Sequence, residues 1–251
     1  MDNEAKVNKT KSKRRKIVEG VLYGIFGLFV TASLTISILT IYHNNKYTKF
    51  FVDGQSMYPT LNLNAKYPDG RLIGQRRAGS AVGTYDVDYG FMDKSDAAIN
   101  SIKRFDIVVC RFANDSTDLI KRVLVLPGET FFFTTGVKDS PDNGNLYIKG
   151  VGQSEFTLVE QPINPEIVHG GYYLEKPQYS NTVTGYTLAS NEYFVCGDNR
   201  AHSSDSRSEG PIKKSFISGR VVAICGTCEV FYDGSHYDIK NIDYKWPRKV
   251  K

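Results

Sequence analysis

Ser56 lies in the stretch GQSMYPTL (54–61), two residues after a glycine and three before a proline, a setting that ordinary loops also use. A serine hydroxyl becomes a nucleophile only beside a base, so its chemistry depends on what else the chain supplies. The four histidines, His43, His169, His202 and His236, stand in no Ser-His-Asp context. A lysine serves instead only when its amine is neutral at working pH, and burial in apolar surroundings lowers an amine pKa by up to several units. The stretch LIKRVLVLPGE (119–129) holds a candidate, Lys121. Strand alternation puts Lys121 on one face with Leu119, Val123 and Val125, and Arg122 on the other. An ionised lysine on an apolar face is costly unless paired; the plainer reading is a side chain snorkelling at a strand end. A third stretch, CGDNRAHSSDSR (196–207), gathers Asp198, Asn199, Arg200, Ser203, Asp205 and Arg207 into one turn-rich loop. Alone it reads as a polar surface loop.

Cys225 and Cys228 have the spacing of a redox or zinc pair, but Cys110 and Cys196 are the only other cysteines and sit singly in separate strands. Buried free thiols are the simpler expectation, with a 225–228 disulfide as the alternative.

The elements that must position these residues follow from the pattern of charge and hydropathy. Residues 1–16 carry seven basic side chains against Asp2 and Glu4, and 17–251 carry 25 basic and 25 acidic ones. The net charge of +5 is therefore all tail, which argues against nucleic acid as a partner, since such a binder spreads its charge over a folded face. From Val21 to Tyr42 runs an uncharged stretch of twenty-two residues, about 33 Å long as a helix and enough to cross a ~30 Å hydrocarbon core. It is longer than the apolar part of a cleavable signal peptide and no small-x-small site follows it. The expectation is a basic cytoplasmic tail (1–16), an uncleaved signal anchor (17–42) and an extracytoplasmic domain (43–251), with the N-terminus inside by the positive-inside rule.

Beyond the anchor, runs dense in β-branched and aromatic residues (KFFV, DIVVC, RVLVL, TFFF, LYI, EYFV, RVVAIC, EVFYD) alternate with Gly, Pro, Asn and Asp turns. DAAINSIKRF suits a short helix. The domain reads as all-β, with a loop-rich stretch at 62–103 and a second variable insertion at 131–190.

Taken together and in order, the anchor, GQSMYPTL, RFDIVV (104–109), KRVLVLPGE (121–129) and GDNRAHSSDSR (197–207) resemble the type I signal peptidases, membrane-bound Ser-Lys endopeptidases. The resemblance rests on 43–61, 104–129 and 191–225. It implies a fold of two antiparallel sheets tethered by one transmembrane helix, Ser56 as nucleophile, Lys121 as general base, and Ser203 as the serine that orients the lysine amine. Asp198, Asp205, Arg122 and Arg207 fall on the polar framework. Phe50, Val52, Met57, Leu61 and Ile120 fall on the pocket for small substrate side chains at P1 and P3, the first and third residues before the cut. The implied substrates are preproteins bearing signal peptides, with the lipid bilayer and the protein translocation machinery close by and no metal or organic cofactor. Some relatives carry a serine, an oxyanion donor, where this chain has Gly54; restoring it is expected to raise turnover unless Gly54 is needed for a positive φ. Two other classes share part of this pattern. A self-cleaving repressor protease would need a DNA-binding helix-turn-helix in place of the anchor, and a catalytically idle assembly factor of the same fold would need a defect in the dyad.

Overall fold

The structure, a computed structural model, describes residues 2–73, 82–113 and 116–249, with side chains from residue 15 onward. It divides into two units, Met1–Lys46 and Tyr47–Lys251. The first is a single helix, α1 (Asp2–Lys46). Its hydroxyls turn inward on the backbone: Thr35 donates to the Thr31 carbonyl, Ser37 to that of Ser33 and Thr40 to that of Ile36, each at 2.9 Å. Polar side chains so satisfied do not spoil an apolar surface. The stretch Arg15–Lys46 is long and apolar enough to span a bilayer, which fits a single-pass anchor, and the expected segment 17–42 falls inside it.

The second unit is built of antiparallel strands: β1 (Tyr47–Phe51), β2 (Gly83–Asp93), β3 (Ile107–Cys110), β4 (Leu119–Val125), β5 (Thr130–Phe133), β6 (Leu146–Lys149), β7 (Thr157–Val159), β8 (Tyr186–Thr187), β9 (Glu192–Cys196), β10 (Ile212–Lys213), β11 (Ile217–Tyr232) and β12 (Tyr237–Arg248). The larger sheet runs β1-β2-β11-β3-β4-β9-β10, with β12 added to β11, and the smaller runs β7-β6-β5-β8. This is the expected all-β fold of two antiparallel sheets. The short helix expected near 96 is α2 (Asp96–Asn100), capped by the Ser95 hydroxyl on Ala98 N–H.

Four differences from the sequence reading have local causes. The loop-rich stretch 62–103 also contains the eleven-residue β2. There Tyr85, Val87 and Tyr89 are buried and alternate with Thr84, Asp86 and Asp88, a period-two pattern in which the aspartates hide the strand. Residues 74–81 of that stretch lie outside the described residues. The insertion 131–190 is ordered, carrying most of the smaller sheet, and the Phe131 ring packs tilted against Phe194 of β9 with centroids 4.7 Å apart. RVVAIC and EVFYD form one strand, because Gly226 (φ +142°) carries β11 through a shift of register while its Cα side meets the Asp243 carbonyl. Val125 does not share a face with Lys121. The register of β4 on β9 slips between Val123 and Val125, so Val125 joins the core beneath the smaller sheet while Leu119 and Val123 stay in another cluster with Cys110 and Val195. A one-residue slip reverses a strand's faces.

Candidate active site

The turn that carries Ser56 is held from three directions. Val52 N–H donates to the Asp88 carbonyl of β2 at 2.9 Å, and Asn199 N–H donates to the Ser56 carbonyl at 2.9 Å. Asn62, itself buried, donates from Nδ2 to the Val52 carbonyl at 2.7 Å and accepts from Asp88 N–H at 2.8 Å. Gly54 adopts φ +101°, where a Cβ would find open space but a strained backbone. The Ser56 backbone N–H has no partner among the described residues, which leaves it as a donor for a developing oxyanion.

Lys121 reaches this turn from β4, where it pairs with Val108 across β3. It is 2% exposed, and its Nζ lies 3.0 Å from Ser56 Oγ and 3.2 Å from the Ile120 carbonyl. Burial lowers the lysine pKa, opposed first by the charge of Asp205 and then by Cys110 and Cys196, and assisted by Arg207. The thiols exert little pull at neutral pH: burial pushes Cys110 and Cys196 up to about 12, so both are uncharged there. Asp205 is engaged elsewhere. Burial alone would raise its pKa, but the charge and hydrogen bonds of Arg207, with the Gly197 N–H, bring it down to about 2. Desolvation therefore wins at Lys121.

The 197–207 loop is fastened by two buried ion pairs. Arg122 donates from Nε and Nη2 to the two oxygens of Asp198 at 2.7 and 2.6 Å, both side chains being fully buried. Its Nη1 donates to the Phe105 carbonyl at 2.9 Å, and Thr60 donates to the same aspartate. Arg207 closes a second fork on Asp205 at 2.8 Å, and Asp205 accepts from Gly197 N–H at 2.9 Å. A buried fork of this kind costs desolvation and returns geometry. It ties the Ser56 segment, β4 and the loop into one body.

The structure brings Lys121, Arg122, Asp198, Asp205 and Arg207 together with the Ser56 turn, while Ser203, Met57 and Leu61 sit differently from the sequence expectation. The Ser203 hydroxyl donates to the Ser204 carbonyl at 3.5 Å rather than to Lys121; its Oγ lies against Gly197, where a Cβ would come within 2.3 Å of it and 2.4 Å of the Ser56 carbonyl. Phe50, Val52, Met57, Leu61 and Ile120 fall in one apolar cluster with Ile107 and Ile224. Met57 and Leu61 lie beneath it at 1% and 0% exposure, whereas Phe50, Val52 and Ile120 line an open groove of about 790 Å³ that ends at Ser56. A second hollow of about 520 Å³, with Gly54, Ser56, Lys121 and His202 among its walls, opens on the other side. Asn62, Thr60 and Gly197 have no role in the sequence reading, whereas Asn199 is part of the polar loop named there. For Asn62 a signal existed, since Asn is among the few residues that tolerate the left-handed φ of +57° found there. All four cysteines are buried free thiols.

An all-β domain with a buried lysine against a turn-borne serine has the layout of a serine hydrolase that uses an amine base. Residues 25–225 match the family model described as signal peptidase, peptidase S26. A signal peptidase I of Bacillus caldolyticus is 30% identical over 178 residues, 70% of this chain and 77% of that protein. Signal peptidase I V of Bacillus subtilis is 36% identical over 129 residues, 51% of this chain and 69% of that protein. A crystal structure of a signal peptidase I from Enterococcus faecalis aligns with a TM-score of 0.31 at 26% identity, covering 48% of this chain and 96% of the other. The chain belongs to the signal peptidase family, peptidase S26. It is a peptidase of signal-peptide processing.

Proposed function

We propose that this chain removes signal peptides from exported preproteins by cutting after a small P1 residue in an Ala-x-Ala-like site, with Ser56 as nucleophile and Lys121 as general base. The observation that carries the reading is the 3.0 Å approach of a 2%-exposed lysine amine to the Ser56 hydroxyl. A neutral amine donates to the Ile120 carbonyl and turns its lone pair toward the Ser56 O–H. It takes that proton as Oγ attacks the scissile carbonyl, returns it to the leaving amine, and then activates water for deacylation. The developing oxyanion meets the Ser56 N–H, and donors of this kind lower the barrier by about 3–4 kcal/mol. Asp198, Asp205, Arg122 and Arg207 position the reacting groups through their two forks, and Ser203 packs against Gly197 beside them. Phe50, Val52 and Ile120 contact the substrate, with Met57 and Leu61 supporting them from below.

In the cell the chain acts as a single-pass protein of the cell membrane with its N-terminus cytoplasmic, 43–251 outside, and the translocation machinery delivering its substrates. The seven basic residues of the tail support that orientation.

The test is cleavage of a precursor bearing Ala-x-Ala before its junction by the detergent-solubilised chain, with the cut located by mass spectrometry. Ser56→Ala, Lys121→Ala and Lys121→Arg are each expected to abolish it, the last because guanidinium stays protonated. Turnover by any of the three removes the dyad. An uncut precursor with the unaltered chain would favour the idle assembly factor.

A further inference from the structure

The groove beside Ser56 has a wall that the P1 and P3 pockets do not use. Tyr237, Ile239 and Ile242 of β12 line it along with Phe50, Val52 and Ile120. These three residues pair across β11 with Tyr232, Val230 and Cys228, so all share the inward face of the curled sheet. Ile239 is nonetheless 45% exposed: it faces inward, and the described residues leave it open. Tyr237 is fixed in place, its ring 5.4 Å from that of Phe51 and its hydroxyl on Asp53. The family match ends at residue 225, so membership of the family says nothing about this strand.

The volume is also larger than small side chains need. A methyl group is comparable to a water, whose share of liquid volume is about 30 Å³, so two alanine methyls occupy roughly 60 Å³. The groove offers about 790 Å³. The surplus lies on a definite side. β1 has an open edge, since among the described strands it pairs with β2 alone, and its side chains alternate. Phe50, followed by Val52, packs into the cluster of Met57 and Leu61, whereas Phe51 between them packs into the cluster that includes Tyr89, Tyr237 and Ile242. An extended peptide laid along β1 alternates in the same way. With P1 and P3 on the Phe50 and Val52 face, P2 and P4 are turned toward β12.

We infer that β12 forms an additional substrate subsite, which takes branched aliphatic or aromatic side chains at P2 and P4. The inference rests on the reading of Ser56 and its groove as the peptidase site. The occupant is the substrate itself, because the groove is continuous with the nucleophile.

The experiment compares peptides with alanine at P1 and P3 and either leucine or serine at P2 and at P4, cleaved by the full chain in detergent micelles. Leucine is expected to raise kcat/KM about tenfold over serine at P4, P2 or both, the scale of discrimination an apolar pocket supplies. Ile239→Ser is expected to bring that ratio close to one, with a melting temperature near that of the unaltered chain reporting an intact fold. Ile239→Trp, which fills the wall, is expected to lower kcat/KM for the leucine peptides selectively. Equal cleavage of all peptides by the unaltered chain, or a leucine preference that survives Ile239→Ser, overturns the subsite and leaves the peptidase reading intact. No cleavage of any peptide overturns both.

Discussion

Lys121 is the residue on which the proposed chemistry and the stability of the site pull in opposite directions. Its pKa is lowered by burial, below an unfolded value near 10.4. Between the two values the unfolded chain binds the proton and the folded one does not, so stability rises with pH across that window and levels off above the unfolded pKa. Urea unfolding of the full chain in mild detergent between pH 6 and 10 is expected to show this slope, and Lys121→Met to flatten it. The rate is expected to climb over the same alkaline direction as the amine loses its proton; a flat single-turnover profile between pH 6 and 9 would speak against a lysine base. Gly54 carries the second prediction at this scale. At φ +101° any side chain costs about 1–2 kcal/mol and shifts the Ser56 turn. Gly54→Ala and Gly54→Ser are therefore both expected to lose kcat and melting temperature, so the gain anticipated from a restored hydroxyl gives way to backbone strain. Turnover by Gly54→Ser above that of the unaltered chain would refute this.

Among the elements, the connection of β4 to the 197–207 loop bears most of the positioning. Removing one partner of a fully buried pair leaves an uncompensated charge and typically costs 3–5 kcal/mol. Asp198→Ala, which strands Arg122 with no exposure to water, is expected to fall in that range by denaturant unfolding. Arg122→Met combined with Asp198→Leu should recover much of the stability, but not the activity, because the fork also aligns the Ser56 segment through Thr60. Recovery of both would reduce the pair to packing. Gly197 tests the same junction by steric means. Its absent Cβ leaves room for the Ser56 carbonyl and the Ser203 hydroxyl, and Gly197→Ala is expected to cost about 1–3 kcal/mol by overpacking with a larger loss of turnover, read by unfolding and kinetics side by side.

At the scale of the molecule the chain consists of a helix and a β domain with its own cores. A chain beginning at Tyr47 is therefore expected to fold cooperatively and to cut a soluble Ala-x-Ala peptide, yet to lose most of its rate on a precursor embedded in vesicles. Equal rates on both substrates would remove any need for the anchor in catalysis. Orientation has its own test: protease added outside sealed right-side-out vesicles is expected to degrade 47–251 and spare the tail.

The sequence by itself determined the anchor, the β class of the domain and the three short stretches that meet around Ser56. Each is a local signal: twenty-two uncharged residues, period-two runs between turns, and a lysine set among aliphatic residues. Tertiary structure decided what those signals could not encode. Whether Lys121 is buried depends on what lies across it, here Val108 and the 197–207 loop, contributed from well away along the chain. The slip between Val123 and Val125 exists only in pairing with β9. β2 and β12 carry charges on their solvent faces, so their inward faces become visible only once β11 stands between them. Burial and register are properties of neighbours, and neighbours distant in sequence are fixed by folding.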